Sequence, residues 1–329
     1  MEIFKSLYQR AFSVDESGFE PLALELFHFQ YKHNAVYKAY VDHLTVNPAL
    51  VTEMTQIPFL PISFFKGHNI QTGSWEAQTT FESSGTTGQV TSKHAVWQST
   101  FYLENCRIQF ERFYGPVKDY TVLALLPSYL ERENSSLVLM AQDFIERSAD
   151  NRSGFFLHNT DELVALLSTL QEEDKKVLLL GVTFGLLDLA EVYKIDLGDT
   201  IIMETGGMKG RRKEMLRAEV HDQLRAAFGV SKIHSEYGMT ELFSQAYSKG
   251  EGIFEASGSI KVFTRDVNDP LLVSNKLRSG ALNIIDLANV HSCAFIETQD
   301  LGKVHSDGSF EVLGRMDNSD IRGCNLMLA

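Results

Sequence analysis

At 329 residues, with 44% hydrophobic and 22% charged side chains, the chain is long enough for one large domain or two tightly joined ones, and its balance excludes disorder as the default. A formal net charge of −13, relieved only by the short basic run Lys209-Gly-Arg211-Arg212-Lys213, excludes the electrostatic footprint of a nucleic-acid binder. Three scattered cysteines without CxxC spacing exclude a disulfide framework and a structural zinc site.

Residues 1 to about 50 have helical apolar spacing, with Leu22-Leu24-Leu26-Phe27 closely set. The start, MEIFKSLYQRAF, has no apolar signal-peptide core. No later stretch reaches the roughly 18 apolar residues of a membrane span, so a cytoplasmic location is expected. Two prolines then force Ile57-Pro58-Phe59-Leu60-Pro61-Ile62 into an extended path.

Beyond it, short apolar runs alternate with helical patterns. Strands are expected at 121–126, 177–181, 200–203 and 233–237, and helices at 161–172, 184–192 and 212–228. This alternation predicts an α/β layer of parallel strands, whose ligands bind beyond the carboxyl ends. The last third, from about residue 250 to 313, is β-rich and broken by Gly, Asp and Asn. It predicts a smaller antiparallel or barrel-like sheet packed on the first. Phe64, Phe65, Phe101, Phe110, Phe113 and Tyr114 fit an apolar tunnel or, at helical spacing, plain core.

Four segments carry candidate chemistry. Ser83-Ser84-Gly85-Thr86-Thr87-Gly88 offers hydroxyls and backbone N–H groups around anionic oxygens, and fits a polar hairpin turn equally well. It lacks the spacing of a Walker loop. Tyr237-Gly238-Met239-Thr240-Glu241 follows a strand; a ring, a hydroxyl and a hard carboxylate there suit a base, a phosphate and Mg²⁺, or a capped turn. Asp300-Leu-Gly302, Asp307-Gly308 and Gly314-Arg315-Met316-Asp317 combine a carboxylate for sugar hydroxyls, a hairpin turn and a forked cation. Gly206-Gly207, after Glu204-Thr205, permits close backbone approach to a flat ligand or a simple turn. His94, His234 and His305 have no metal-ligand spacing and read as structural. Cys106 and Cys293 read as small buried hydrophobes.

In this order the segments resemble the adenylate-forming superfamily of acyl-CoA synthetases, peptide-synthetase adenylation domains and luciferases. Ile57–Lys66 and the ending Ile321-Arg-Gly-Cys324-Asn-Leu resemble its acyl-protein synthetase branch, the LuxE type, with phenylacetate–CoA ligase-like enzymes as near relatives. The resemblance implies an α/β large domain at 57–313 with a smaller β-rich subdomain from about 250 to 313. A helical arm at 1–56 would precede it, and a truncated hinge at 314–329 would follow, with the C-terminal lid domain and its lysine absent. It implies ATP and Mg²⁺ as cofactors and a carboxylic, expectedly fatty, acid as substrate.

The implied roles are specific. Ser83, Ser84, Gly85, Thr86, Thr87 and Gly88 would wrap the triphosphate; Gly206, Gly207, Tyr237 and Gly238 would face adenine. Thr240 would touch the α-phosphate, Glu241 would hold the metal, Asp300 would bind ribose and Arg315 ribose or phosphate. The superfamily's loop lysine is displaced here to Lys93, and Lys209, Arg211 or Arg212 would stand in for the lid lysine. Cys324 would accept the acyl group as a thioester and pass it to an acyl-accepting or acyl-reductase partner. Two other readings fit the same motifs: a ligase using CoA as acceptor, and a non-catalytic nucleotide-binding subunit.

Overall fold

The structure, a computed structural model, describes residues 2–83, 90–126, 134–206, 215–256, 258–269, 271–274 and 279–316. The chain opens with α1 (Glu2–Ser13), α2 (Glu16–His33) and α3 (Ala35–His43). Asp15 and Asn34 start the second and third of these by accepting from the backbone N–H groups of Gly18 and Tyr37. The proline-bound path becomes β1 (Leu60–Pro61), followed by the single turn α4 (Phe64–Gly67). The hairpin β2 (Thr79–Glu82) and β3 (Lys93–Val96) leads to α5 (Ser99–Tyr114).

The expected alternation follows: β4 (Thr121–Leu125), α6 (Ser136–Arg147), β5 (Gly154–Phe156), α7 (Thr160–Glu172), β6 (Val177–Val182), α8 (Thr183–Val192), β7 (Ile201–Thr205), α9 (Arg217–Phe228) and β8 (His234–Tyr237). Strands β5, β4, β6, β7 and β8 pair in parallel in that spatial order. Every residue of β4 and β6 is buried, as uninterrupted apolar runs demand when both sheet faces are covered. Alternate side chains enter two cores. Val122, Ala124, Leu178 and Leu180 face the core shared with α1, α2, α5 and α6; Leu123, Leu125, Val177 and Leu179 face that of α7, α8 and α9. Helix α9 begins at Arg217, not at Arg212 as the periodicity predicts. Leu216 is extended, and its N–H is bonded to the Glu219 carboxylate, which starts the helix there.

Strands β9 (Ala246–Ser248), β10 (Ile253–Ala256), β11 (Ile260–Arg265), β12 (Val273–Ser274), β13 (Ser279–Asp286), β14 (Phe295–Val304) and β15 (Phe310–Arg315) form the β-rich third. They do not make a separate sheet packed on the first. Strand β9 pairs antiparallel with β8, and β10, β15, β14, β13, β11 and β12 extend the same hydrogen-bonded path. Periodicity reports which face of a strand is buried, but it carries no information on which edge a strand joins.

The aromatic cluster is core, not tunnel. Phe110 packs on Tyr114, Tyr120, Phe144 and Tyr247, and Phe101 stacks on Tyr8 with ring centroids 4.3 Å apart. The N-terminal helices join it: Phe27 and Tyr37 both touch the Phe295 ring of β14. Strand β1 pairs in parallel with β14 at Ile296 and Glu297, and Ile62 N–H extends the ladder to the Glu297 carbonyl.

The Asp307-Gly308 turn closes the β14–β15 hairpin, with Asp307 accepting from both the N–H and the hydroxyl of Ser309. Gly302 sits at an irregularity of this hairpin, where a Cβ would lie 2.2 Å from the Glu311 carbonyl oxygen and 2.8 Å from Leu282. Glu311 cannot retreat without breaking the ladder. Gly302→Ala is therefore expected to destabilise the protein by about 2–3 kcal/mol, read as a lowered urea midpoint with unchanged slope.

Candidate active site

The carboxyl ends of β7 and β8 lie side by side, Thr205 opposite Glu236. Gly206 turns the chain away from β7 at φ +82°, a backbone that favours glycine. Thr205 donates its hydroxyl to the buried Glu236 carboxylate, tying the two strand ends together. Gly238 and Thr240 lie in the accessible turn after β8, and Glu241 is buried at its inner end.

That turn is held from below. His94 of β3 donates Nδ1–H to the Thr240 carbonyl at 2.8 Å. Asn289 donates its amide to the Glu241 carbonyl, also at 2.8 Å. Asp286 accepts from the N–H groups of Phe243 and Ser244 at 2.7 and 3.0 Å. Three buried side chains thus fix the backbone on which Thr240 and Glu241 stand. Burial pushes the Glu241 carboxyl above its ordinary range, against a hydrogen bond from Ser92 and the charges of Arg315 and Lys66. A carboxylate desolvated in this way favours a cation beside it.

Ser92 also defines the base of the serine- and glycine-rich loop. Its N–H donates to the Ser83 hydroxyl at 2.9 Å, and Ser83 N–H donates to the Ser92 carbonyl. The loop thus joins β2 to β3 and springs from beside Glu241. Ser83 is described; Ser84, Gly85, Thr86, Thr87 and Gly88 lie outside the described residues, as do Gly207, Lys209, Arg211, Arg212, Asp317 and Cys324. Lys93 is exposed on β3 and pairs with Glu82 across the hairpin at 3.8 Å.

On the other side of the turn, the buried Tyr237 hydroxyl donates to Asp300 Oδ2 at 2.7 Å. Its ring sits edge-on to Phe310 and tilted against Phe254. Arg315, largely exposed, reaches Asp300 Oδ1 at 3.3 Å. The structure therefore brings Tyr237, Asp300 and Arg315 into one chain of contacts, and Glu241 feels the Arg315 charge.

Behind this rim lies a cluster the sequence did not disclose. Glu204 of β7 accepts from Thr183 at 2.8 Å and Arg217 Nε at 3.3 Å, with His221 Nε2 at 3.6 Å. Burial raises the Glu204 carboxyl, but His221, the Arg217 charge, Ser235 and Thr183 outweigh it and hold the group down to about 2. Arg217 also donates to the Val312 carbonyl at 3.2 Å and lies over the Phe254 ring. It therefore ties β7 to β10 and β15.

The histidines are structural. Burial lowers His94 to about 4; burial, with the Lys232 and Lys249 charges, lowers His234 to about 4. Both rings are neutral at pH 7, bonded to Thr240 and Tyr114 respectively. Cys106 and Cys293 are buried, and burial pushes the Cys293 thiol up to about 12, far from thiolate chemistry.

Among the described residues no group of three or more His, Cys, Asp or Glu side chains could hold a metal by itself. The single buried carboxylate of Glu241 suits Mg²⁺, which takes one or two carboxylates and fills its shell with phosphate oxygens and water. No described helix is long and apolar enough to cross a membrane.

Comparison with known proteins agrees with this architecture. The profile of the family described as acyl-protein synthetase, LuxE, matches residues 10–100. No curated protein matches the chain in sequence. A 2-hydroxyisobutyryl-CoA ligase, solved with 2-HIB-AMP and CoA in the thioesterification state, superposes with a TM-score of 0.64 at 14% identity, over 94% of this chain and 71% of that one. ATP-bound MatB from Rhodopseudomonas palustris gives 0.52 at 17% identity, over 72% of this chain and 47% of its own. A long-chain-fatty-acid-CoA ligase from Archaeoglobus fulgidus gives 0.51 at 14% identity, over 72% and 51%. The chain thus spans about half the length of the last two. At these identities the likeness establishes the fold, an α/β fold shared with these ligases.

Proposed function

We propose that this chain activates a carboxylic acid, with a fatty acid the expected class, by adenylation with MgATP, and passes the acyl group to a thiol of its own, Cys324. The observation that carries the reading is Glu241: a buried carboxylate just past the carboxyl end of β8, hydrogen-bonded to Ser92 at the root of the loop and acted on by the charges of Arg315 and Lys66. The match of residues 10–100 to the acyl-protein synthetase family supports the acceptor.

In the first step a substrate carboxylate oxygen attacks the α-phosphorus. A P–O bond forms and the bond to pyrophosphate breaks, giving acyl-AMP. When bound, Mg²⁺ supplies charge neutralisation on the phosphates, and Glu241 would hold it. Ser83 through Gly88 would surround the phosphates, Thr240 would donate to the α-phosphate, and Gly206 with Gly207 and Gly238 would let the base approach backbone. Tyr237 would pack beside the base and orient Asp300 towards the ribose hydroxyls, with Arg315 fixing the other carboxylate oxygen. The chain's contribution is placement and charge stabilisation.

In the second step the Cys324 thiol gives up its proton to solvent, its sulfur attacks the acyl carbon, and AMP leaves with the electron pair of the broken C–O bond. The thioester then passes to a partner protein, in keeping with an acyl-reductase or acyl-carrier role. In this reading residues 1–56 form an arm and 57–313 the catalytic unit, with a hinge at 314–329.

Intact-protein mass spectrometry after incubation with MgATP and acids of increasing chain length tests the acceptor. A hydroxylamine-labile mass gain equal to one acyl group, lost in Cys324→Ser, is the expected result. Acyl-CoA formed on adding CoA, with no protein adduct, would move the acceptor to CoA.

A further inference from the structure

We propose that Lys66, carried by the single turn α4, is a phosphate-binding cation of this site. The inference rests on the adenylation reading above, and it gives a role to the residue that closes the Ile57–Lys66 string, to which the resemblance assigns none.

The placement follows from the backbone. Strand β1 runs parallel to β14, pairing Leu60 with Ile296 and Pro61 with Glu297, so the chain leaving β1 heads towards Asp300. There it makes one turn, α4, which ends in Phe64-Phe65-Lys66-Gly67. Phe65 is buried and meets the His94 ring edge-on, centroids 5.6 Å apart. His94 in turn holds the Thr240 carbonyl. The turn bearing Lys66 is thereby docked against the residue that holds the Thr240 carbonyl, one position before Glu241, and the Lys66 charge acts on the Glu241 carboxylate.

The neighbouring cations are committed elsewhere. Arg315 pairs with Asp300, Arg217 with Glu204, and Lys93 with Glu82. Lys66 is exposed; its backbone N–H donates to the Ser63 carbonyl, and its ammonium has no hydrogen bond or ion pair among the described residues. A substrate carboxylate approaching a triphosphate beside Glu241 brings several anions together. A lysine ammonium, a compact charge on a flexible stem, can follow phosphate oxygens as charge shifts among them. Since the ammonium is solvent-exposed, its replacement should leave the fold intact.

The test compares wild type, Lys66→Met and Lys66→Arg in acid-dependent ATP–pyrophosphate exchange, in MgATP binding by calorimetry at low salt, and in thermal unfolding. Lys66→Met is expected to lower the exchange kcat by about 10²-fold and MgATP affinity by about tenfold, with unchanged Tm. Lys66→Arg, which keeps the charge, should recover exchange to within about tenfold of wild type. A Lys66→Met protein that matches wild type in both exchange and MgATP affinity would overturn the assignment. If wild type itself shows no exchange, the adenylation reading fails, and the difference in MgATP affinity still decides whether Lys66 meets phosphate.

Discussion

Glu241→Gln is expected to lower acid-dependent pyrophosphate release by about 10²–10³-fold while making the protein more stable. Both effects come from one fact: the carboxylate is buried, and burial pushes it above its ordinary range despite Ser92, Arg315 and Lys66. A group whose folded pKa is raised favours the fold in its protonated form. That stabilisation is full below the unfolded pKa and is lost as pH rises through the folded one. At neutral pH the wild-type charge is therefore a cost. Glutamine keeps the shape and can still accept from Ser92, but carries no charge to desolvate. The stability gap should open as pH rises past the ordinary glutamate value of 4.5 and close in acid. Activity should fall by about 10²–10³-fold, the range for losing one preorganised electrostatic group. Thermal melts across pH, set beside pyrophosphate assays, read both arms. A variant that loses stability at pH 7 while keeping activity would make Glu241 a structural residue.

Glu204 predicts the opposite sign. Its folded pKa is held at about 2, below the ordinary 4.5, by His221, Arg217, Ser235 and Thr183 acting against burial. A depressed carboxylate contributes stability that is present above its unfolded pKa and lost as pH falls through the folded one. The interval from 4.5 to about 2 corresponds, at 1.36 kcal/mol per unit, to about 3 kcal/mol. Glu204→Gln should lose about that much at pH 7, because Arg217 then keeps only the Val312 carbonyl and the Phe254 ring. The difference from wild type should shrink between pH 5 and 2, the window set by those two values. Urea unfolding of both proteins across that range checks it. Equal stability at pH 7 would show that Arg217 and Glu204 do not form the tie between β7 and β15.

Much of the layer order was legible because the parallel strands are continuous apolar runs. Val177-Leu178-Leu179-Leu180 admits little besides a strand covered on both faces, and the helical spacing around it fixes the crossovers. The β-rich third was legible as strands but not as an arrangement, since edge partners are set by long-range pairing such as β8 with β9. At the site, the turn after β8, Asp300 and Arg315 stood out as candidates because hydroxyl, carboxylate and glycine cluster in short strings, but the Asp300–Arg315 contact itself was not readable. The residues that hold them were not. His94, Asp286 and Asn289 reach Thr240, Phe243 and Glu241 across more than forty positions of sequence, and nothing local to an isolated buried Asn or His announces its partner. Ser92 lies just past the loop that drew attention to Ser83. Glu204 stood within a readable string, but its partners Arg217 and His221 belong to α9, whose start the periodicity misplaced.

The central claim is that this fold adenylates a carboxylic acid. Isotope exchange between labelled pyrophosphate and ATP, run with Mg²⁺ and a panel of fatty and aryl acids, tests it most directly, since exchange needs acyl-AMP formation and no acceptor. Exchange that appears only with a suitable acid and falls in Glu241→Gln is the predicted result. MgATP binding without exchange for any acid would contradict the claim and leave a nucleotide-binding subunit on an adenylate-forming scaffold.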